Sequence, residues 1–297
     1  MKHLLIVLSF LLLSACQTTK KLKKSLLWQV RENRSTYPSF IFGTIHAMPE
    51  NQFKIPARVH ELVGLANTYY GELNFSDQQA LAKAMINNVR MKNGTTLKEL
   101  LTNEEYQLVK NYFENESTSQ EAILIGFAQL EKWKPLLLTS VLVKDIINMP
   151  IKAYDTELYN LAKEKNKKIA GLETAEYQFK LFDEIDYKIQ AQNLVKSIKE
   201  MHNTSEKNSL YQMIALYKNM DIVGLHKLIV HDGSQMFEEK LINDRNTNWV
   251  PIIEKSIKKE CTFFAVGAGH LAGPKGLIRQ LQKKGYLVEP VKLEDFK

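Results

Sequence analysis

The chain has 297 residues, of which 44% are hydrophobic and 25% charged, and a formal net charge of +7 with His neutral. That length and apolar content suit a full core, as one large domain or two small ones. The basic residues form no stripe with aromatics, which argues against nucleic acid as a partner. Only two Cys, Cys16 and Cys261, exclude a disulfide framework.

The N-terminus reads Met1-Lys2-His3, an apolar run from Leu4 to Leu13, and then Leu13-Ser14-Ala15-Cys16. A short positive region, a short apolar region and small residues before a cut site describe an export signal. The run is too short for a membrane-spanning helix, which needs about twenty apolar residues. Residues 1–15 are therefore expected to be removed. Leu-Ser-Ala-Cys has the pattern of a lipobox, so Cys16 is expected to carry a lipid that holds the chain to a membrane. Gln17 follows it; by resemblance to Gram-negative lipoproteins, a non-Asp residue there favours the outer membrane, facing the periplasm. Loss of the signal leaves 282 residues and lowers the charge from +7 to +6. Residues 16–24 read as a tether whose lysines could favour an anionic lipid surface. With Cys16 lipidated, Cys261 is expected to be a buried small hydrophobe.

Residues 25–297 read as an α/β domain: a central mixed sheet built from two β-α-β-like end units, with large helical insertions at about 76–150 and 174–255. Ser25 to Val30 and Ser39 to Ile45 are predicted strands, the second rich in aromatic and β-branched residues. A helix from Pro56 to about Ala66 and a strand from Thr68 to Leu73 complete the first unit. The first insertion carries three Ser/Thr-x-x-Glu/Gln signatures of a helix start, at Ser76, Thr96 and Thr102. Further helices are predicted over Tyr106–Phe113, Ala122–Leu130, Leu136–Ile147 and Thr156–Lys165, and a short strand over Lys168–Glu173. The second insertion is expected to break near Asn203. Cys261 to Val266 is a continuous apolar run typical of a buried strand. A helix from about Gly276 to Lys284 and a strand from Tyr286 to Val291 close the chain.

The two ends resemble each other. Phe40 to His46 and Phe263 to His270 each give an apolar strand followed by Gly-x-x-His. In open α/β sheets, sites form beyond the carboxyl ends of strands, so His46 and His270 could converge if their strands are neighbours. His60, His202, His226 and His231 have no such context and are left structural. Glu72 follows the strand of the first crossover and could face the same rim. Two imidazoles and a carboxylate with an open water position are a common catalytic metal set, in which the ion acidifies the water and polarises a carbonyl.

Phe42-Gly43-Thr44-Ile45-His46, Gly71-Glu72-Leu73, Gly171-Leu172-Glu173-Thr174, Asp244-Arg245-Asn246 with Trp249, and Val266 to Leu271 together resemble the TraB/GumN family. That family includes the TIKI metalloproteases and is distantly similar to erythromycin esterases and to ChaN-like haem-binding lipoproteins. The resemblance runs from about Leu27 to Val291. It implies an α/β sheet with helical insertions and a divalent metal (Zn, Mn or Co) held by His46, Glu72 and His270. The function it favours is a metal-dependent hydrolase of peptide or amide bonds, with Glu72 as third ligand or general base. A metal-free variant, as in the erythromycin esterases, would use His46 as base with Glu72 orienting it. Arg245 could stabilise an oxyanion or bind a substrate carboxylate, and Asn246 could orient a neighbour. Glu173 and Asp155 could each support a ligand, although a helix N-terminal acid favoured by the dipole fits Glu173, and a helix cap fits Asp155. The alternative is a non-catalytic lipoprotein that binds haem or a signalling peptide, with Tyr69, Tyr70 or His270 as the axial haem ligand.

Overall fold

The computed structural model describes residues 22–32, 37–201, 209–232, 235–294 and 296. The expected signal peptide, Cys16, most of the tether, His202 and the break near Asn203 lie outside the described residues. Eight strands are present: β1 (Leu27–Arg31), β2 (Ser39–Thr44), β3 (Met48–Pro49), β4 (Thr68–Gly71), β5 (Ile151–Lys152), β6 (Lys168–Gly171), β7 (Thr262–Gly267) and β8 (Leu287–Pro290). Six of them form one sheet in the order β6-β4-β7-β2-β1-β8, while β3 and β5 make a small antiparallel pair. The strands β6, β4, β7 and β2 run parallel to one another; β1 joins antiparallel to both β2 and β8. The expected mixed α/β sheet is thus observed.

The two strands that read as most apolar, β2 and β7, lie side by side in the middle of the sheet, with Phe40 paired to Phe263 and Thr44 to Gly267. Phe40, Ile41, Phe42, Phe263, Phe264, Ala265 and Val266 are all buried, as strands covered on both faces should be. The turn after β7 packs closely on β2. A Cβ on Gly43 would lie 2.8 Å from Leu271 Cδ1 and 3.1 Å from Ala268 Cα, so the first Gly-x-x-His needs its glycine to let the second approach. Cys261 is half-buried and packs at the edge of this core.

The helical insertions make a second core of their own. Leu97, Val109, Tyr112, Leu138 and Leu142 from the first pack with Ala191, Leu194, Val195 and Ile198 from the second. Thr96 and Thr102 open their helices with full capping boxes. Ser76 does not: Asp77 accepts from Ala80 N and caps helix Gln78–Asn88, while the Ser76 hydroxyl donates to Asn74 Oδ1. The expected helix over 122–130 is split at Gly126, whose φ of +76° is left-handed and ends one helix before the next begins.

Lys134 ties this helical layer together. It is fully buried, and its ammonium donates to Asp183 Oδ1 at 2.7 Å and to Phe179 O at 2.9 Å. Asp183 also accepts from the Tyr187 hydroxyl. Asp183 also pairs with the exposed Lys92 at 3.2 Å, so Lys134→Met removes the buried bonds without stranding a bare charge and is expected to cost about 1–3 kcal/mol of unfolding free energy. Urea denaturation checks this; a variant as stable as the parent would show that Asp183 is hydrated in the folded state.

Candidate active site at the carboxyl rim of the sheet

Parallel pairing puts the carboxyl ends of β2, β4, β6 and β7 on one rim. His46, Glu72, Glu173 and His270 each follow one of those ends by one to three residues. Backbone bonds extend the β4–β6 pairing past both strands, Leu172 N to Gly71 O and Glu173 N to Glu72 O, both at 3.0 Å. The two glutamates therefore start from adjacent backbone.

His46 is held by Asp155. Its Nδ1 lies 2.8 Å from Asp155 Oδ2, and Thr44 Oγ1 donates to Asp155 Oδ1 at 2.8 Å. A carboxylate only accepts, so Nδ1 carries a proton and donates it, and Nε2 offers its lone pair when the ring is neutral. Nε2 hydrogen-bonds to no described residue. The expectation that Asp155 caps its helix is corrected: Ala153 occupies that position, Asp155 sits in the first turn of helix Tyr154–Glu164, and its carboxylate turns to the imidazole. The Asp155 charge and its hydrogen bond raise the His46 pKa to about 9. The His46 side chain is 74% exposed and its partner 13%.

Arg245 organises the other half of the site. It projects from the buried face of helix Asp244–Lys259. NH2 donates to Glu72 Oε2 at 2.5 Å and to Glu173 Oε1 at 2.8 Å; Nε donates to both Glu173 oxygens at 3.1 Å. NH1 donates to Leu241 O at 3.1 Å and to His270 Nε2 at 3.2 Å. A guanidinium has five N–H donors, and all five are used. The expected role of Arg245 in binding an oxyanion or a substrate carboxylate is corrected on that count: it has no donor left, and it acts as a clamp on two carboxylates. Glu173 immediately precedes Thr174, which caps the following helix, and its carboxylate accepts from Arg245 and from Trp249 Nε1 at 3.0 Å.

His270 lies behind this clamp. Asn246 Oδ1 is 2.8 Å from its Nδ1, and Asn246 Nδ2 donates to His270 O at 3.1 Å and Lys275 O at 3.0 Å. Trp249 packs on the imidazole at 4.5 Å between centroids and lies 4.7 Å from the guanidinium carbon of Arg245. Burial, reinforced by the Arg245 charge, lowers the His270 pKa to about 3, so the ring is neutral at neutral pH. Glu72 shows the opposite balance. Burial is the largest single effect and would raise it, but Arg245, His270, His46 and the Gly267 N–H at 2.7 Å together hold the carboxyl well below its usual range. Burial raises Glu173, despite Arg245, because one cation serves two carboxylates.

A cavity of about 340 Å³ opens on this rim, lined by His46, Tyr69, Glu72, Asp155 and Arg245 and walled by Phe75, Phe182 and Leu241. His270 is not among its lining residues; nor are Tyr70, His60 or His226. The site thus divides into an open His46–Asp155 face and a closed Glu72–Arg245–Glu173–His270 network. Tyr69 shares the cavity; burial, then the Asp155 and Glu72 charges, push its phenol well above the usual value of 10. The apolar walls come from helices and loops where sequence gives a buried face but no address, and no motif marks them.

The family model of the TraB/PrgY/gumN family matches residues 26–290. The chain belongs to the TraB/PrgY/gumN family. Among curated relatives it is 24% identical to metalloprotease TIKI2 of Xenopus tropicalis, covering 89% of this chain and 59% of that protein. It is 23% identical to the metalloprotease TIKI homolog of Nematostella vectensis (93% and 69%) and 22% identical to metalloprotease TIKI1 of Danio rerio (93% and 65%). The chain therefore spans about three fifths to two thirds of the length of the relatives it matches. No solved structure matches.

For this TraB/PrgY/gumN chain, the relatives' name raises the question of an ion. The donor types suit one: each imidazole has its Nδ1 engaged, by Asp155 or by Asn246, which is how ligating histidines are usually oriented. Glu72, Glu173 and Asp155 against Arg245 also leave a surplus of negative charge for a cation to offset. The spacing does not suit one. Among the described residues, no three His, Cys, Asp or Glu side chains are grouped so as to hold an ion. Glu72 Oε1 lies 3.7 Å from His270 Nε2, but Arg245 bonds to both residues and takes up the lone pairs an ion would need. As placed, His46, Glu72 and His270 do not fit a shared metal.

Proposed function

We propose that this chain is a hydrolase of amide or peptide bonds, held to a membrane by a lipid on Cys16, with His46 and Asp155 as its acid–base pair. The observation that carries this reading is the His46–Asp155 pair, whose free Nε2 borders a cavity also lined by Glu72. In the proposed step, neutral His46 takes a proton from water through Nε2 as the water oxygen bonds to the substrate carbonyl carbon. The Asp155 carboxylate steadies the imidazolium that forms. The proton then passes to the leaving amine nitrogen as the carbon–nitrogen bond breaks. Glu72, kept ionised by Arg245, adds negative potential that favours the charged imidazole; so depressed a carboxyl is a poor general base.

The relatives' printed name extends the proposal to a divalent ion, zinc, manganese or cobalt, for which His46, Glu72 and His270 are the donors of suitable kind. The disagreement over spacing makes the ion part of the test and leaves it out of the steps. The haem alternative has Tyr69 in the cavity wall, without Tyr70 or His270 beside it, and no observation favours it.

The test is hydrolysis of internally quenched peptides by the wild type and by His46→Ala, with bound metal measured by mass spectrometry before and after chelation. Wild-type cleavage that falls by about 10²–10⁴-fold in His46→Ala supports the reading. Equal rates overturn it. Activity and metal lost together through chelation favour the ion; activity that survives metal removal favours the His46–Asp155 pair alone. Because the base is the neutral ring and its pKa is raised to about 9, the rate is expected to climb with pH from neutrality through that value. A rate already flat from pH 6 upward would contradict the assignment.

A further inference from the structure

The buried tyrosines of this protein are nearly all accounted for. Tyr154 donates to Lys54 O at 2.7 Å, Tyr217 to Gly43 O at 2.9 Å, and Tyr112 to Asp145. Tyr69 differs. It is 2% exposed, it lines the cavity with His46 and Glu72, and its hydroxyl hydrogen-bonds to no described residue. The solvent-excluded polar side-chain atoms that lack a partner are, among the described residues, His226 Nδ1 and Asn243 Oδ1; the Tyr69 oxygen is not one of them, so its hydroxyl is open to the cavity.

The position of that hydroxyl is well determined. The Tyr69 ring stacks on Phe263 of the neighbouring strand, with centroids 6.4 Å apart and planes 10° from parallel. A Cβ built on Gly71 would lie 3.8 Å from the Tyr69 oxygen, so the hydroxyl sits beside the residue that precedes Glu72. The strand that delivers Glu72 to the rim therefore also aims a phenol into the same space. Every N–H of Arg245 is taken by protein acceptors, and Glu72 and Asp155 can only accept. Among the polar side chains lining the cavity, the Tyr69 O–H and the Gln178 amide are donors without a protein partner, and the Tyr69 hydroxyl is the one that sits beside the residue preceding Glu72.

We propose that Tyr69 is a catalytic residue that donates its hydroxyl hydrogen bond to the substrate carbonyl oxygen as negative charge develops there. The proposal rests on the hydrolase reading above and supplies the oxyanion donor that Arg245 does not. In the balanced step, water oxygen bonds to the carbonyl carbon and the C=O π pair moves onto oxygen, where it accepts from Tyr69 O–H; the water proton goes to His46 Nε2. Collapse restores C=O, breaks the carbon–nitrogen bond and returns the His46 proton to the amine. Tyr69 keeps its proton throughout. A fixed donor at a developing oxyanion acts most strongly in a dry site and strengthens as charge forms.

Tyr69→Phe removes one oxygen and leaves the ring stack intact. With the full chain and internally quenched peptides, kcat is expected to fall about 10²–10³-fold while KM changes little. Tyr70→Phe, whose ring stacks on Phe264 and does not line the cavity, is expected to match the wild type. The melting temperature of Tyr69→Phe is expected to hold, because the hydroxyl bonds to no described residue. Wild-type rates in Tyr69→Phe with inactive His46→Ala would overturn the role of Tyr69 and leave the hydrolase reading standing. A lowered melting temperature with unchanged kcat would make the hydroxyl structural and overturn it too. Absence of cleavage by the wild type, or equal cleavage by His46→Ala, would overturn the hydrolase reading and the Tyr69 role together.

Discussion

Replacing Arg245 with methionine is expected to lower the unfolding free energy by about 3–5 kcal/mol at neutral pH and to abolish activity. The residue is 6% exposed and its five N–H groups make six hydrogen bonds, to Glu72, Glu173, Leu241 and His270. Without it two buried carboxylates face each other with no cation between them. Each would then have a folded pKa above its unfolded value, so the variant is most unstable when both are ionised. The deficit should shrink as pH falls through the carboxylate range, because protonation removes the uncompensated charge. Lysine should rescue only in part: it restores a charge but not the planar fork that reaches four partners at once. Urea denaturation from pH 4 to pH 8 checks both points. A methionine variant of parental stability at neutral pH would mean that the two glutamates do not depend on the clamp.

Asp155→Asn is the second large effect, and it falls on rate. The amide keeps the shape of the carboxyl but loses its charge and can present an N–H to the His46 ring, which favours the wrong tautomer. A drop in kcat of about 10²–10⁴-fold is expected, with KM nearly unchanged, because the base and not the substrate loses its partner. The rising limb of the pH profile should move down toward the ordinary imidazole range, since Asp155 is the largest cause of the raised His46 value. Unchanged kcat would remove Asp155 from the acid–base pair.

The layout of the sheet was largely legible from the chain. β2 and β7 announce themselves as continuous aromatic and β-branched runs, and their shared Gly-x-x-His pattern anticipates adjacent strands. Glu72 was legible as an acid just past a strand end. The roles of the acids around them were not. An acid in the first turn of a helix is what the helix dipole favours, so Asp155 and Glu173 looked local; their actual partners, His46 for one and Arg245 with Trp249 for the other, are far away in sequence. The same distance hid the state of Arg245, since no spacing rule says that all five of its donors are used. It also hid the placement of His270 behind the guanidinium instead of in the cavity. Helical periodicity marked Leu97, Val109, Leu194 and Ile198 as buried faces, but nothing local said that the two insertions share one core.

The most direct test of the account is where the oxygen goes. The central claim is that His46 delivers water to an amide carbonyl, so a peptide cleaved in ¹⁸O-labelled water should gain one heavy oxygen at its new carboxylate, seen by mass spectrometry. Wild-type protein is expected to give that labelled product, and His46→Ala none above the uncatalysed background. A product without label, or equally abundant labelled product from both proteins, would contradict the claim.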